Sequence, residues 1–323
     1  MLLLTKVVLS LMVGFITSVI FGFVLIPFLK KINFGQRISD YVGENHHKKE
    51  GTPTMGGIIF IVPTIITIVY LCLSDRVEFT YNLAIVLVVF ILYALLGFLD
   101  DFISIKRKHN EGLTIAQKFL GQVLIALIFF FIFMKYDGNT NFTVSSLGID
   151  INLGWGYGIF ILLLLVGFSN AVNLTDGIDG LSTSVTTIII TCLTAIGIIF
   201  GVKEITVFGA ILIGACLGFL LFNLHPAKVF MGDTGSLLLG GAIASMAIYL
   251  KMPLILIIIA LIPVVETLSV IIQVRHFKKT GERIFKMTPI HHHFELSGWN
   301  ENKIVSIFSI ITLVCCVVGL LSI

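Results

Sequence analysis

A chain of 323 residues that is 57% hydrophobic and only 12% charged, with a mean hydropathy of +1.06, lies far outside the range of a soluble globular domain. The five cysteines, Cys72, Cys192, Cys216, Cys315 and Cys316, are odd in number and all fall inside apolar runs, which excludes a disulfide framework and zinc-finger spacing. A formal charge of +3 says little in such a chain, but where the charges fall says a great deal.

A helix needs about 20 apolar residues to cross a bilayer, and lipid tolerates no unpaired backbone. The apolar runs therefore predict an all-α, polytopic membrane protein with ten spans, near 5–29, 56–74, 82–99, 117–135, 155–172, 181–200, 205–222, 235–250, 252–275 and 303–322. The first run is too long for a signal peptide and lacks a small-residue cleavage pattern before Pro27, so it reads as a retained span. Ten crossings put both termini on one side. Most of the 21 basic residues and all eight histidines fall in the five connections on the other side, 30–55, 100–118, 173–180, 223–234 and 275–303. The positive-inside rule makes that loaded side cytoplasmic and both termini extracellular. The whole chain, 1–323, reads as one transmembrane domain whose five cytoplasmic loops form an active face.

Taken in order, the first cytoplasmic loop ends in Lys48-Lys49-Glu50-Gly51-Thr52-Pro53-Thr54-Met55-Gly56-Gly57. Pro53 and the glycines mark a turn into the second span, and Gly56-Gly57 permits close helix packing. Lys49 and Thr54 can meet an anionic ligand, although lysines here also satisfy the positive-inside rule. The third span closes on Asp100-Asp101, two adjacent acids at a helix C-terminus, where the macrodipole disfavours negative charge; that placement points to acid, base or metal work. Residues 140–153 alternate around Leu147-Gly148 and predict a short β-hairpin outside the membrane.

The fifth span ends in Asn173-Leu174-Thr175-Asp176-Gly177-Ile178-Asp179-Gly180. On a helical turn Asp176 and Asp179 would share a face, and acids embedded in a membrane bundle are costly enough to imply a polar ligand site. Asn223-Leu224-His225-Pro226 then leads through Phe230 to Gly232-Asp233-Thr234-Gly235-Ser236. Flexible glycines and small hydroxyls there suit a phosphate or a cation held by Asp233, or else a plain turn. The ninth span carries Pro263 and Glu266, which predicts a kink beside a buried carboxylate; Glu266 is either a site residue or a partner for backbone freed by the kink. The last loop ends in Pro289-Ile290-His291-His292-His293-Phe294-Glu295-Leu296. Three successive histidines point in different directions on a helix and cannot all bind one metal, so phosphate binding or proton transfer fits better.

The stretches 51–57, 99–101, 173–181, 223–237 and 289–299 occur in one order along nearly the whole chain, and together they resemble the polyprenyl-phosphate N-acetylhexosamine-1-phosphate transferases. That resemblance implies a ten-helix enzyme, a homodimer, with a cytoplasmic cleft and Mg2+. It further implies transfer of phospho-MurNAc-pentapeptide from UDP-MurNAc-pentapeptide to undecaprenyl phosphate, giving lipid I and UMP in peptidoglycan biosynthesis at the bacterial cytoplasmic membrane. By motif match Asp233 would hold the metal, and Asp100 and Asp101 would act on the lipid phosphate or assist the metal. Asn173, Asp176, Gly177, Asp179, Asn223 and Phe230 would line the nucleotide site, with Phe230 against uracil. His291 and His292 would face the phosphates, and Lys49, Thr54, Gln273 and His293 are further matches for substrate binding. Relatives often place a lysine three residues after the aspartate pair, whereas this chain has Ser104.

Two other readings compete. A sibling enzyme would use UDP-GlcNAc for teichoic acid or O-antigen synthesis; the unbroken histidine triplet followed by Phe294-Glu295-Leu296 argues against it. A transporter would place charges near the bilayer midplane and show an internal repeat, and neither is seen.

Overall fold

The computed structural model describes residues 3–32, 51–107, 112–144 and 149–323. Lys49 lies outside them, as do His46, His47, Lys48 and His109. The described chain is a helical membrane protein. Its helices are α1 (Leu3–Lys31), α2 (Ile58–Leu73), α3 (Tyr81–Arg107), α4 (Ile115–Tyr136), α5 (Tyr157–Thr175), α6 (Leu181–Ile199), α7 (Lys203–Asn223), α8 (Gly232–Tyr249), α9 (Ile255–Ile259), α10 (Leu261–Thr280), α11 (Ile290–Glu295) and α12 (Glu301–Leu321). Between α4 and α5, strands β1 (Asn141–Val144) and β2 (Ile149–Asn152) pair antiparallel, with Phe142 opposite Ile151. Among the described residues seven helices are long and apolar enough to cross a membrane: α1, α3, α4, α5 with the turn before it, α6, α7 and α12.

Local chemistry sets the helix ends. Thr114 and Gln117 cap each other at the start of α4, each side chain bonded to the other's backbone N–H. Asn300 starts α12 by accepting from Lys303 N at 2.8 Å.

The ninth predicted span, 252–275, needs correcting: two helices, α9 and α10, meet at Ala260. Pro263 has no N–H to give the carbonyl of Ile259 and its ring crowds that carbonyl, so the helix breaks where the sequence suggested a kink. The thiol of Cys316 lies 4.0 Å from the stranded Ile259 oxygen. All five cysteines are free.

At the centre stands α8, buried at every residue from Thr234 to Tyr249. It is built from small residues, which trade hydropathy for close approach. A Cβ on Gly97 of α3 would meet Asp233 O at 2.1 Å, one on Gly57 would meet Gly235 N at 2.5 Å, and one on Gly240 would meet Phe168 O of α5 at 2.2 Å. These bare crossings fix the start of α8 against the ends of α2 and α3. A strand-like contact reinforces them, with Phe230 N donating to Pro53 O (2.8 Å), Gly56 N to Phe230 O (2.8 Å) and Gly57 N to Met231 O (2.9 Å). The polar loops 51–57, 176–180 and 224–231 are thereby gathered at one end of the bundle, while Lys6, Val77, Glu78 and Lys203 share a cavity elsewhere.

Candidate active site

The acid pair at the end of α3 divides its labour. Asp101 is 8% exposed, and its carboxylate serves as the N-terminal cap that α8 lacks in its own sequence. Oδ1 accepts from Asp233 N (3.1 Å), and Oδ2 accepts from Thr234 N (2.9 Å) and Thr234 Oγ1 (2.6 Å). Free helix N–H groups and the positive end of the dipole make this a good place for a carboxylate. Gly232, at φ +73, makes the turn possible; a Cβ there would sit 2.5 Å from Asp101 Oδ2. Asp100 points elsewhere. Its Oδ1 accepts from Leu113 N at 2.8 Å and its Oδ2 lies 3.3 Å from Lys118 Nζ.

Lys118 also pairs with Asp233 Oδ2, so one ammonium ties the ends of α3 and α8 together. Asp233 Oδ1 accepts from Asn173 Nδ2 at 2.7 Å, and the same amide donates to Ser236 Oγ at 2.9 Å. One carboxylate oxygen from each of Asp100, Asp101 and Asp233 lies within 4.8 Å of the other two. These residues open onto a cavity of about 630 Å³ that is also lined by Ser104, Arg107 and the start of α4.

Asp176 and Asp179 do not share a helical face, because α5 ends at Thr175 and both sit on the turn that follows. Asp179 Oδ2 takes His225 Nδ1 (2.9 Å) and Ala227 N (3.0 Å), while Asp179 N donates to Glu301 Oε2 (3.0 Å). Asp179, His225 and Glu301 form a second group able to offer three ligand atoms within 4.8 Å, beside a cavity of about 740 Å³ that also meets Trp299 and Thr52. Asp176 lies near both groups. Burial, and then the charges of Asp233, Asp101 and Asp179, push its carboxyl well above the usual carboxylate range.

The three histidines find three different partners. His291 is fully buried; its Nδ1 lies 3.1 Å from Glu266 Oε1, and Glu266, itself fully buried, is 3.4 Å from His291 N. Its Nε2 edge is packed so tightly on Gly177 that a Cβ there would lie 2.1 Å away. Glu266 therefore serves a site residue and is not spent on the backbone at the break. His292 lies against His291, ring centres 4.2 Å apart and planes tilted by 53°, and pairs with Glu295 at 3.0 Å. His293 Nδ1 accepts from Lys286 N at 3.2 Å.

Three sequence candidates are engaged inside the protein. Asn223 is 2% exposed, accepting from Thr183 Oγ1 (2.8 Å) and donating to Val229 O (3.1 Å), which closes the loop before α8. Gln273 accepts from Ile284 N and Phe285 N, each at 3.0 Å, and donates to Phe285 O, so it braces the loop before α11. Thr54, 6% exposed, backs onto Gly232. The ring of Phe230 is half-buried. Lys118 was missed in the sequence. Its signal was the Thr114-x-x-Gln117 capping pair, which starts the helix at Ile115, two residues before the predicted span, and puts Lys118 in its first turn on the side of the aspartates.

The arrangement defines a class: a polytopic helical membrane protein with an acid-and-lysine centre set among its loops at one end of the bundle. Residues 83–251, just over half the chain, match the family model described as glycosyl transferase family 4, and residues 49–61 match signature 1 of the phospho-N-acetylmuramoyl-pentapeptide-transferases. The chain is similar to the phospho-N-acetylmuramoyl-pentapeptide-transferase of Clostridium perfringens strain 13, at 48% identity over 317 residues and 98% of each chain. It is also similar to those of Oceanobacillus iheyensis, at 46% over 98% of this chain and 97% of the relative, and of Bacillus subtilis strain 168, at 44% over 96% of each. The chain belongs to the phospho-N-acetylmuramoyl-pentapeptide-transferase family and is a membrane phosphosugar transferase.

Proposed function

We propose that the protein transfers phospho-MurNAc-pentapeptide from UDP-MurNAc-pentapeptide to undecaprenyl phosphate, releasing UMP and leaving lipid I. The observation that carries this reading is the convergence of Asp100, Lys118, Asn173 and Asp233, from four different helices, on one cavity within a chain similar along almost its whole length to transferases of that name. In the direct reaction, an oxygen of the lipid phosphate bonds to the sugar-bearing phosphorus of the donor, and the bond to the bridging oxygen of UMP breaks. Asp100 takes any proton carried by the attacking phosphate. Lys118, which already reaches two carboxylates, faces the charge that spreads over the transferred group.

The residues fit a Mg2+ ion. Three carboxylates converge as hard oxygen donors. Asp101 is committed to α8, so Asp233 and Asp100 would be the ligands. Bound there, the ion would offset the negative charge of the pyrophosphate. Asn173, Asp176, Gly177, Asp179 and Phe230 line the donor side, while Asn223, Gln273 and Thr54 shape the loops that hold it. His292 faces the phosphates, and the buried His291 supports it from behind; His293 and Lys49 are assigned to substrate binding by their place in the matching motifs.

The active face is cytoplasmic, in the cytoplasmic membrane, with ten crossings and both termini outside. The basic loops support this through the positive-inside rule. A single domain and a homodimer complete the reading. The test supplies purified protein with undecaprenyl phosphate and Mg2+ and compares UMP release from UDP-MurNAc-pentapeptide and from UDP-GlcNAc. Release from the pentapeptide donor alone is expected. Release from UDP-GlcNAc alone would move the chain to the sibling chemistry.

A further inference from the structure

Far from the acid-and-lysine centre, four charged side chains border a cavity of about 310 Å³ that the transfer reaction does not use: Lys6 of α1, Glu78 of the loop before α3, and Lys203 and Glu204 at the start of α7. It lies at the end of the bundle where α1, α3 and α7 begin, opposite the end where α3 carries Asp100 and α8 opens on Asp233. Charges are scarce in this chain, so their gathering here asks for a cause. Among the described residues none of the four forms an ion pair, whereas Lys251 at the same end pairs with Asp137 and Lys135 lies over the ring of Tyr136. Lys6 Nζ donates once, to Arg76 O at 2.6 Å, and keeps two N–H groups. Lys203 is the first residue of α7, where the macrodipole opposes a cation, so helix stability does not explain it.

The surroundings put the cavity at the level of lipid headgroups. Leu4 and Leu73, at these ends of α1 and α2, are 67% and 82% exposed and suit acyl chains. Tyr81 and Tyr136 stack at the same end with ring centres 4.2 Å apart, as aromatic residues do at a membrane interface. Leu3 and Val207 add an apolar wall to the cavity itself.

We propose that this cavity seats the headgroup of a phospholipid bearing a primary amine, its phosphate on Lys6 and Lys203 and its ammonium on Glu78 and Glu204. Two cations and two carboxylates balance, so the site matches a headgroup that is itself zwitterionic. A primary ammonium brings N–H donors to the carboxylates; a choline headgroup has none, and a glycerol headgroup carries no cation. The seated lipid joins the start of α1 to the start of α7 and stabilises the folded chain by binding it. The proposal goes beyond the transfer reaction and does not depend on it.

The test titrates the full chain, purified in detergent, with phosphatidylethanolamine, phosphatidylcholine and phosphatidylglycerol of identical acyl chains, reading bound lipid by native mass spectrometry and the melting temperature alongside. Phosphatidylethanolamine should bind about tenfold more tightly than the other two, the worth of one hydrogen bond to a charged group, and should raise the melting temperature most. Glu78→Gln with Glu204→Gln should abolish the preference over phosphatidylcholine, and Lys6→Gln with Lys203→Gln should weaken the binding of all three lipids. Glu78 and Lys203 are exposed, so Glu78→Gln and Lys203→Gln alone decide the matter if the double variants fold poorly. Equal affinity for the three lipids, tighter binding of phosphatidylglycerol, or a preference for phosphatidylethanolamine that survives the acid variants would each overturn the proposal. Equal stabilisation by soluble phosphoethanolamine would also overturn it, by assigning the cavity to a free zwitterion in place of a lipid.

Discussion

Individual residues at this site act largely through one another. Asp101 looks like half of a catalytic pair in the sequence, but its bonds to Asp233 N and to Thr234 make it the cap of α8 and the support of Asp233. Asp101→Ala should therefore cost about 1–2 kcal/mol of stability as well as activity, the usual penalty for losing a helix cap. Asp233→Ala should abolish UMP release with a smaller change in melting temperature, and equal melting temperatures for the two variants would contradict the division. Glu266 and His291 form a fully buried pair, so Glu266→Ala strands the imidazole and should destabilise by about 3–5 kcal/mol. Glu266→Gln still accepts through its amide oxygen and should lose clearly less; thermal unfolding of both variants beside the parent decides it. Acids in an apolar chain are conspicuous, which is why Asp100, Asp176, Asp179 and Asp233 could be read directly. The pairing of Lys118 with Asp233 could not, since 115 residues separate them and only packing brings them together.

At the scale of elements, glycines decide how closely helices meet, and the helix ends set the site. Gly97 lets the end of α3 lie directly on the start of α8. An alanine there puts a Cβ 2.1 Å from Asp233 O, with backbone as the obstacle and no flexible side chain to yield. Gly97→Ala should cost about 1–3 kcal/mol, the range for overpacking. It should also lower UMP release more than tenfold, because Asp233 moves relative to Asp100 and Lys118; retained activity would show that the crossing tolerates slack. Hydropathy recovered the helices well, because lipid forces an apolar run wherever a helix meets it. It gave less warning of the break at Ala260, three residues before the proline that causes it, and none of the depth at which α8 lies. Hydropathy scores small residues low, yet small residues are what a helix packed on all sides requires.

Over the whole molecule, the loops that carry chemistry gather at one end because the helices alternate direction and the bare crossings hold α2, α3, α5 and α8 together. If that end is cytoplasmic, a cysteine placed at the exposed Ser297 should react with an impermeant maleimide only after cells are opened, and one at the exposed Lys203 should react in intact cells. The reverse pattern would invert the topology. Charge bias along the loops was legible as a pattern in one dimension, whereas the split into two separate acid groups was not, since His225 and Glu301 join Asp179 only in the folded chain. Those two groups also offer the most direct test of where the reaction occurs. UMP release titrated with Mg2+ should be lost in Asp233→Asn at every concentration, while Glu301→Gln should keep the half-saturating Mg2+ of the parent. Loss of the Mg2+ response in Glu301→Gln together with its retention in Asp233→Asn would move the catalytic cation to the Asp179–His225–Glu301 group and contradict the account.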